Sequence, residues 1–242
     1  MWKFVESRGK TWVGRVRSRN EDVFSIRPEF GFLAVADGMG GTSAGHVAAR
    51  IAIDEVSSTL ANISDSRTLQ PDDLIEAVVH ANSMVFDRGQ TYSDFAGMGT
   101  TIVYCIVDEL LATFCHVGDS RGYLFRKKEL KQVTKDHSLV QEKVDRGEMT
   151  AEEARVAPMR NLVTRSVGPQ QTVLPEVTNA ELQPGDCLML CSDGISDFVP
   201  HPEIQEVMDA HSHNLRFLAS MLVETADKHG STDNITTVVA KI

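Results

Sequence analysis

TTIVYCIVDELLATFCHVGDSRGYLF, Thr100 to Phe125, contains three apolar runs: Thr100–Val107, Leu111–Val117 and Arg121–Phe125. They are rich in Val, Ile, Phe and Thr and are bounded by Asp and Gly, as strands are. Asp108-Glu109 is too short a connection for a crossover, so it reads as a tight turn. The stretch is then a meander, and its strands pair antiparallel.

Working outward, the same kind of run recurs at Phe30–Ala36, Cys187–Cys191 and Asn234–Ile242. Helical segments flank the runs. Ala44–Leu60 places Val47, Ile51, Val56 and Leu60 broadly on one side. Asp72–Arg88 follows Pro71, which suits a first helical turn. Pro202 opens another helix, and Asn214–Lys228 spaces Leu215, Leu218, Leu222 and Val223 helically. Thr150 and Glu153 match a capping box. The early helices, central strands and late helices do not keep the βαβ rhythm of a doubly wound sheet. Antiparallel sheets with helices packed outside fit better, an α+β class. Lys135–Gly168 is polar and helical, and reads as a flap inserted over one end of the sheets.

The 242 residues favour one domain, with 42% hydrophobic and 24% charged residues, an ordinary globular composition. The formal net charge of −10 argues against a nucleic-acid surface, which needs clustered Lys and Arg. No segment approaches the ~18 consecutive apolar residues of a membrane helix, and MWKFVESRGK has no apolar stretch of signal-peptide length. The expectation is a cytoplasmic monomer. Cys105, Cys115, Cys187 and Cys191 all lie in apolar runs and read as buried thiols.

Four aspartates stand at run ends. Asp37 follows FLAVA, Asp119 follows FCHVG, Asp193 follows LMLCS, and Asp233 precedes NITTVV. Gly38, Gly118 and Gly194 adjoin three of them. Alone, each is an ordinary turn residue. Together they sit where the strand ends of one sandwich meet, and convergent carboxylates repel unless a cation lies among them. Oxygen donors without convergent Cys or His select Mg²⁺ or Mn²⁺. Upstream, Arg15, Arg17 and Arg19 alternate at strand period and so share one face. Such a row is either a charged edge strand or a source of one guanidinium for phosphate. Glu21 and Asp22 add acids beside it. Arginine, carboxylates and divalent ions together point to phosphoryl chemistry.

Three other patterns fail. Gly40 to Val47 nearly has P-loop spacing, but His46 stands in the lysine position. Gly38-Met39-Gly40 begins a dinucleotide fingerprint that ends at Ser43 instead of glycine. Cys115 and Arg121 have the spacing of cysteine-dependent phosphatases, but a strand follows instead of a helix, and Asp119 would sit in the phosphate cradle.

The ordered motifs resemble the PP2C-type, metal-dependent protein serine/threonine phosphatases (the PPM family), especially the small bacterial members. They are Val16-Arg17 with Asn20-Glu21-Asp22, Val35-Ala-Asp37-Gly38-Met-Gly-Gly41, Met98-Gly99-Thr100-Thr101, His116-Val-Gly-Asp119-Ser-Arg121, Thr134-Lys-Asp136-His137-Ser138, Pro184-Gly-Asp186, Cys191-Ser-Asp193-Gly194 and Asp233-Asn-Ile-Thr236. The resemblance implies a four-layer α-β-β-α sandwich of two antiparallel sheets. It implies two Mn²⁺ or Mg²⁺ ions bridged by Asp37, with the Gly38 carbonyl on one and Asp193 and Asp233 on the other. Glu21 and Asp22 would act through water, and Asp119 with Asp193 would hold a weaker third ion. Arg17 would bind the substrate phosphate, and a water activated by the ions would attack phosphorus in line. Where some members have a histidine after Asp-Gly, this chain has Met39. The leaving-group proton is therefore unassigned between a metal-bound water, His46 and His116.

The implied activity is hydrolysis of phosphoserine and phosphothreonine in proteins, opposing a serine/threonine kinase. The alternatives are a catalytically silent scaffold and the cysteine-dependent phosphatase built on Cys115 and Arg121.

Overall fold

In the computed structural model, which describes residues 6–40 and 44–242, the opening stretch folds as strands but divides between two five-stranded sheets, with Thr100 in a separate two-stranded pair. Gly41 and Ser43 of the Gly-rich turn lie outside the described residues. Strands β1 (Glu6–Trp12), β2 (Val23–Arg27), β3 (Phe32–Ala36) and β4 (Gly38–Met39) precede helices α1 (Ala44–Ser64) and α2 (Pro71–Thr91). Next come β5 (Gly99–Thr100), β6 (Ile102–Asp108), β7 (Leu111–Val117), β8 (Arg121–Arg126) and β9 (Glu129–Gln132). Short helices α3 (Leu139–Asp145) and α4 (Ala151–Val156) follow, then β10 (Glu176–Glu181) and β11 (Cys187–Cys191). The chain closes with α5 (Asp193–Ser196), α6 (His201–His211), α7 (Leu215–Lys228) and β12 (Ile235–Lys241).

One sheet runs β1-β12-β11-β8-β9 and the other β10-β7-β6-β3-β2, with every pairing antiparallel. The β6–β7 hairpin matches the expected meander, with its turn at Glu109-Leu110, one residue later than anticipated. Asp108 pairs with Leu111 across it, and Glu109 takes the left-handed φ of 52° that the reversal requires. The third run departs from expectation. Gly118, at φ 106°, turns the chain out of its sheet, and β8 pairs with β11 and β9 in the other.

Period-2 alternation then builds three apolar layers. Phe32, Ala34, Ala36, Tyr104 and Ile106 face α1 and α2. Leu33, Val35, Val103 and Cys105 face Leu188, Leu190 and Val238 between the sheets. Met189, Cys191 and Val239 face α6 and α7. The result is the four-layer α-β-β-α order. The central strands are buried on both faces, which is why they read as unbroken apolar runs. All four cysteines are free and buried. Among the described residues no helix is long and apolar enough to cross a membrane.

The helix ends follow their local chemistry. Pro71 begins α2, with a reciprocal Gln70–Asp73 cap. Asn214 accepts from the Phe217 amide at 3.1 Å, and Thr150 and Glu153 form their capping box. Residues 135–168 leave the sheets and return. Their legs meet at a Ser138–Val163 bridge. Beyond the return, buried Asn82 of α2 accepts from the Gly168 amide at 2.8 Å and donates to the Gln170 and Gln171 carbonyls at 3.0 and 3.1 Å.

The inter-sheet layer should dominate stability. Leu188, fully buried there, should lose about 2–5 kcal/mol on change to alanine, or roughly 2–4 °C of melting temperature per kcal/mol. Leu110→Ala, at an exposed turn position, should change stability by less than about 0.5 kcal/mol. Thermal and urea unfolding of the two variants would check the contrast.

Candidate active site

Antiparallel pairing brings the end of one strand beside the start of the next. Val23 lies opposite Ala36, Val35 opposite Val103, and Ile102 opposite Val117. Cys191 lies opposite both Arg121 and Thr237, and Trp12 opposite Ile235. The residues just beyond these pairs, Asp22, Asp37, Asp119, Asp193 and Asp233, therefore gather at one end of the sandwich. This is the convergence expected from the run ends.

Each acid is held by its surroundings. The Asp37 carbonyl accepts from Thr101 N at 2.9 Å and Thr100 Oγ1 at 2.8 Å, which locks the backbone under the carboxylate. Gly38 is tightly apposed to Gly45 at the start of α1, where a Cβ would overlap the Gly45 carbonyl. Asp22 takes a 2.8 Å hydrogen bond from Ser192 Oγ. Asp193 opens α5, and Gly194 behind it packs against the Asn234 carbonyl, where a Cβ could not fit. Asp233 accepts from Asn234 N at 2.8 Å and from Arg17 Nη2 at 2.6 Å. Glu21 enters through its backbone, donating to Asn234 Oδ1 at 2.8 Å.

The electrostatics are those of acids forced together. Burial, then the neighbouring carboxylates, raise Asp37 well above the usual range. Burial moves Asp22 up to about 6, and burial followed by Asp233 moves Asp193 up to about 6. Burial and then Asp193 raise Asp119 well above its ordinary value, so Asp119 belongs to the same cluster. Asp22 Oδ1 and Asp193 Oδ1 are buried without a hydrogen-bond partner. Such orphaned oxygens are costly unless something positive meets them. An all-oxygen set of this kind fits a hard divalent cation.

The arginine row is a correction. Arg15, Arg17 and Arg19 share no strand face, because β1 ends at Trp12 and the next ten residues form a loop. Asn234 shapes that loop by donating to the Val13 and Arg19 carbonyls, both at 2.9 Å. Arg15 forks onto Asp227 at 2.6 Å. Arg17 alone turns to the acids, with 53% of its side chain exposed.

Cys115 cannot serve as a nucleophile. It is buried in β7, burial pushes its thiol up to about 12, and Arg121 is committed to Asp136 at 2.6 Å. His116 is equally unsuited to proton donation. It is fully buried, burial lowers its pKa, and its Nε2 lies 2.6 Å from the Lys135 carbonyl. His116, His137 and Glu176 bring potential ligand atoms within 4.8 Å of one another. However, His137 Nδ1 accepts from the buried Gly118 amide at 3.2 Å, so its neutral ring carries the proton on Nε2 and has no lone pair left for a metal.

Several residues at the site carried no strand-end signal. Ser192 and Asn234 act as struts whose role needs tertiary contacts to be seen. Asp197 lies just past α5 beside a cavity of ≈ 460 Å³ that also reaches Asp119 and is walled by Val140, Ala154 and Val199. Burial and then Asp193 push Asp197 up to about 7.

Comparison with known proteins identifies the family. The family profile "Protein phosphatase 2C" matches residues 11–235. The serine/threonine phosphatase stp of Listeria monocytogenes is 34% identical over 237 residues, covering 96% of this chain and 94% of its own. The PstP phosphatase of Mycobacterium tuberculosis is 39% identical over 95% of this chain, which spans 43% of that longer protein. Its crystal structure superposes with a TM-score of 0.89 at 37% identity, covering 98% of both chains. A PstP catalytic domain in complex with two manganese ions superposes at 0.85 with 36% identity, covering 98% of this chain and 97% of that one. This chain belongs to the protein phosphatase 2C family of serine/threonine phosphatases.

Proposed function

We propose that the chain removes phosphate from phosphoserine and phosphothreonine in proteins, using Mn²⁺ or Mg²⁺ held at the acid cluster. The carrying observation is the pair of orphaned buried oxygens, Asp22 Oδ1 and Asp193 Oδ1, among carboxylates that repel one another. Asp37, the Gly38 carbonyl, Asp193 and Asp233 would hold two ions, and Asp119 with Asp193 a weaker third. Glu21 and Asp22 would act through water. Bound there, the ions would supply the charge that makes water nucleophilic near neutral pH and offsets charge on phosphate.

The remaining work falls to the chain itself. Arg17 is tethered by one nitrogen to Asp233, and its exposed guanidinium can fork onto a phosphate. Thr100, Thr101 and Ser192 keep the acids from recoiling. His46, exposed in the first turn of α1 beside Gly45, is the histidine left for a test of leaving-group protonation once buried His116 is set aside. Residues 135–168 act as a flap of the single domain, and the cavity beneath them would receive substrate side chains. The reading includes a cytoplasmic monomer that opposes a serine/threonine kinase; the four free thiols suit a reducing compartment.

Turnover of p-nitrophenyl phosphate and of a phosphothreonine peptide with Mn²⁺ tests this reading. EDTA should abolish both activities and a thiol alkylator should leave them intact; the reverse pattern, or no turnover at all, would refute it. Asp193→Asn should abolish turnover. Arg17→Ala should mainly raise KM, by about 10- to 100-fold, for loss of a charge-assisted bond worth about 1.5–3 kcal/mol.

The raised carboxyls also set a pH dependence. In the metal-free protein, Asp22 and Asp193 at about 6 take up protons as pH falls from 7, which relieves their repulsion. Their stabilising contribution is present at low pH and is lost as pH rises through 6. Mn²⁺ replaces that relief only where the acids are ionised. It should therefore raise the melting temperature strongly at pH 7.5 and only weakly at pH 5, as differential scanning fluorimetry can measure.

A further inference from the structure

Asp119 sits on the three-residue turn where the chain passes from one sheet to the other. Nothing in Gly118-Asp119-Ser120 itself fixes where that carboxylate lies. On one side Thr101 supports the turn. Its Oγ1 lies 2.7 Å from Ser120 Oγ, and its side chain packs so closely on Gly118 that a Cβ there would clash. On the other side stands His137. Its backbone N donates to the Gly118 carbonyl at 2.9 Å, which orients the peptide plane leading into Asp119. Its ring Nδ1 accepts from the Gly118 amide at 3.2 Å.

The ring is held in that state by its surroundings. The Gly118 amide is buried and its proton is fixed, so Nδ1 must offer the lone pair and Nε2 the proton. Nε2 faces Glu176 Oε2 at 3.4 Å. Arg165 Nη1, 3.2 Å from the same nitrogen, belongs to an exposed side chain that can turn to water. His116 stacks on the ring, with centroids 4.5 Å apart and planes 16° from parallel, while its own Nε2 donates to the Lys135 carbonyl. Burial, then His116 and Arg165, hold His137 neutral by lowering its pKa to about 4. The His137 carbonyl accepts from Thr164 N at 2.8 Å, and Leu139 N donates to the Leu162 carbonyl at 2.9 Å. One residue thus grips the Asp119 turn and both legs of the 135–168 segment.

We propose that His137 is a positioning residue that sets the Asp119 carboxylate toward Asp193 through its grip on Gly118, and so couples the 135–168 segment to the third cation. The proposal rests on reading Asp119 and Asp193 as ligands of that ion.

The test compares His137→Asn, whose amide oxygen can stand near Nδ1, with His137→Gln, whose amide reaches instead toward Nε2. Asp119→Asn is the reference, and Glu176→Gln reports on the other side of the ring. Mn²⁺ binding is followed by calorimetry on the full chain, and exchange of the Gly118 amide by NMR. His137→Gln should weaken the weakest Mn²⁺ site about tenfold or more and speed Gly118 exchange about tenfold. His137→Asn should stay within about threefold of wild type on both measures, as should Glu176→Gln on Mn²⁺ binding. Equal losses in the Asn and Gln variants, or unchanged Gly118 exchange in His137→Gln, would overturn the proposal. If Asp119→Asn leaves all Mn²⁺ binding unchanged, the third-ion reading fails, and with it the coupling. Gly118 exchange then decides the grip alone. Should His137→Gln fail to fold, the wild-type protein still decides. Nitrogen-15 shifts of His137 must show the Nε2–H tautomer at pH 7.5, and the Nδ1–H tautomer would overturn the assignment.

Discussion

Repulsion among buried carboxylates is the constraint on which the rest of this structure depends. Asp22, Asp37, Asp119 and Asp193 are all pushed toward the protonated form, with burial as the leading cause and the charge of neighbouring acids, Asp233 included, behind it. Left on flexible loops they would separate and hydrate. They stay together because each is attached within a residue or two of a strand end in a sandwich with three apolar layers. The stability of the layers offsets the cost of the cluster. A functional site that stores unfavourable charge in this way is the usual reason for perturbed carboxyls in a cleft.

Close backbone approach is the second requirement, and glycine meets it at two places. Gly38 lies against Gly45, and Gly194 against the Asn234 carbonyl, so tightly that no Cβ fits. These two contacts bring the Asp37 turn onto α1 and the Asp193 turn onto the start of β12. Asn234 completes the frame. Its side chain gathers Val13, Arg19 and Glu21 and thereby folds the loop that delivers Arg17. One asparagine therefore links the loop that carries Arg17 to both sheets.

What was legible in the sequence follows burial. The doubly buried strands β3, β6, β7, β11 and β12 stood out as apolar runs, and the four run-end aspartates marked the site. The strands β1, β2, β9 and β10, which did not stand out, are the edges of the two five-stranded sheets. Glu176–Glu181 and Glu6–Trp12 are partly exposed along much of their length, so their composition carries little β signal. The arginine alternation misled because period 2 was read without the turn at Gly14, whose φ of 79° ends the strand geometry. The passage of β8 into the second sheet, and the grip of His137 on Gly118, depend on contacts between distant segments and leave no mark in local composition.

The Gly-rich turn after β3 shows what the charge arrangement implies for binding order. Glycine turns commonly cradle phosphate with their amides, but Asp37 stands at the mouth of this one, and four further acids converge on the same end of the sandwich. Arg17 is the cation paired with the cluster, and part of its charge is already spent on Asp233. A phosphate dianion approaching the bare site would meet net repulsion. On the proposed chemistry, cations must therefore bind before substrate, and the affinity for phosphate belongs to the loaded site and not to the fold. On that reading, the acids that make the bare site inhospitable to an anion would be the groups that convert it into an anion receptor once divalent charge is present.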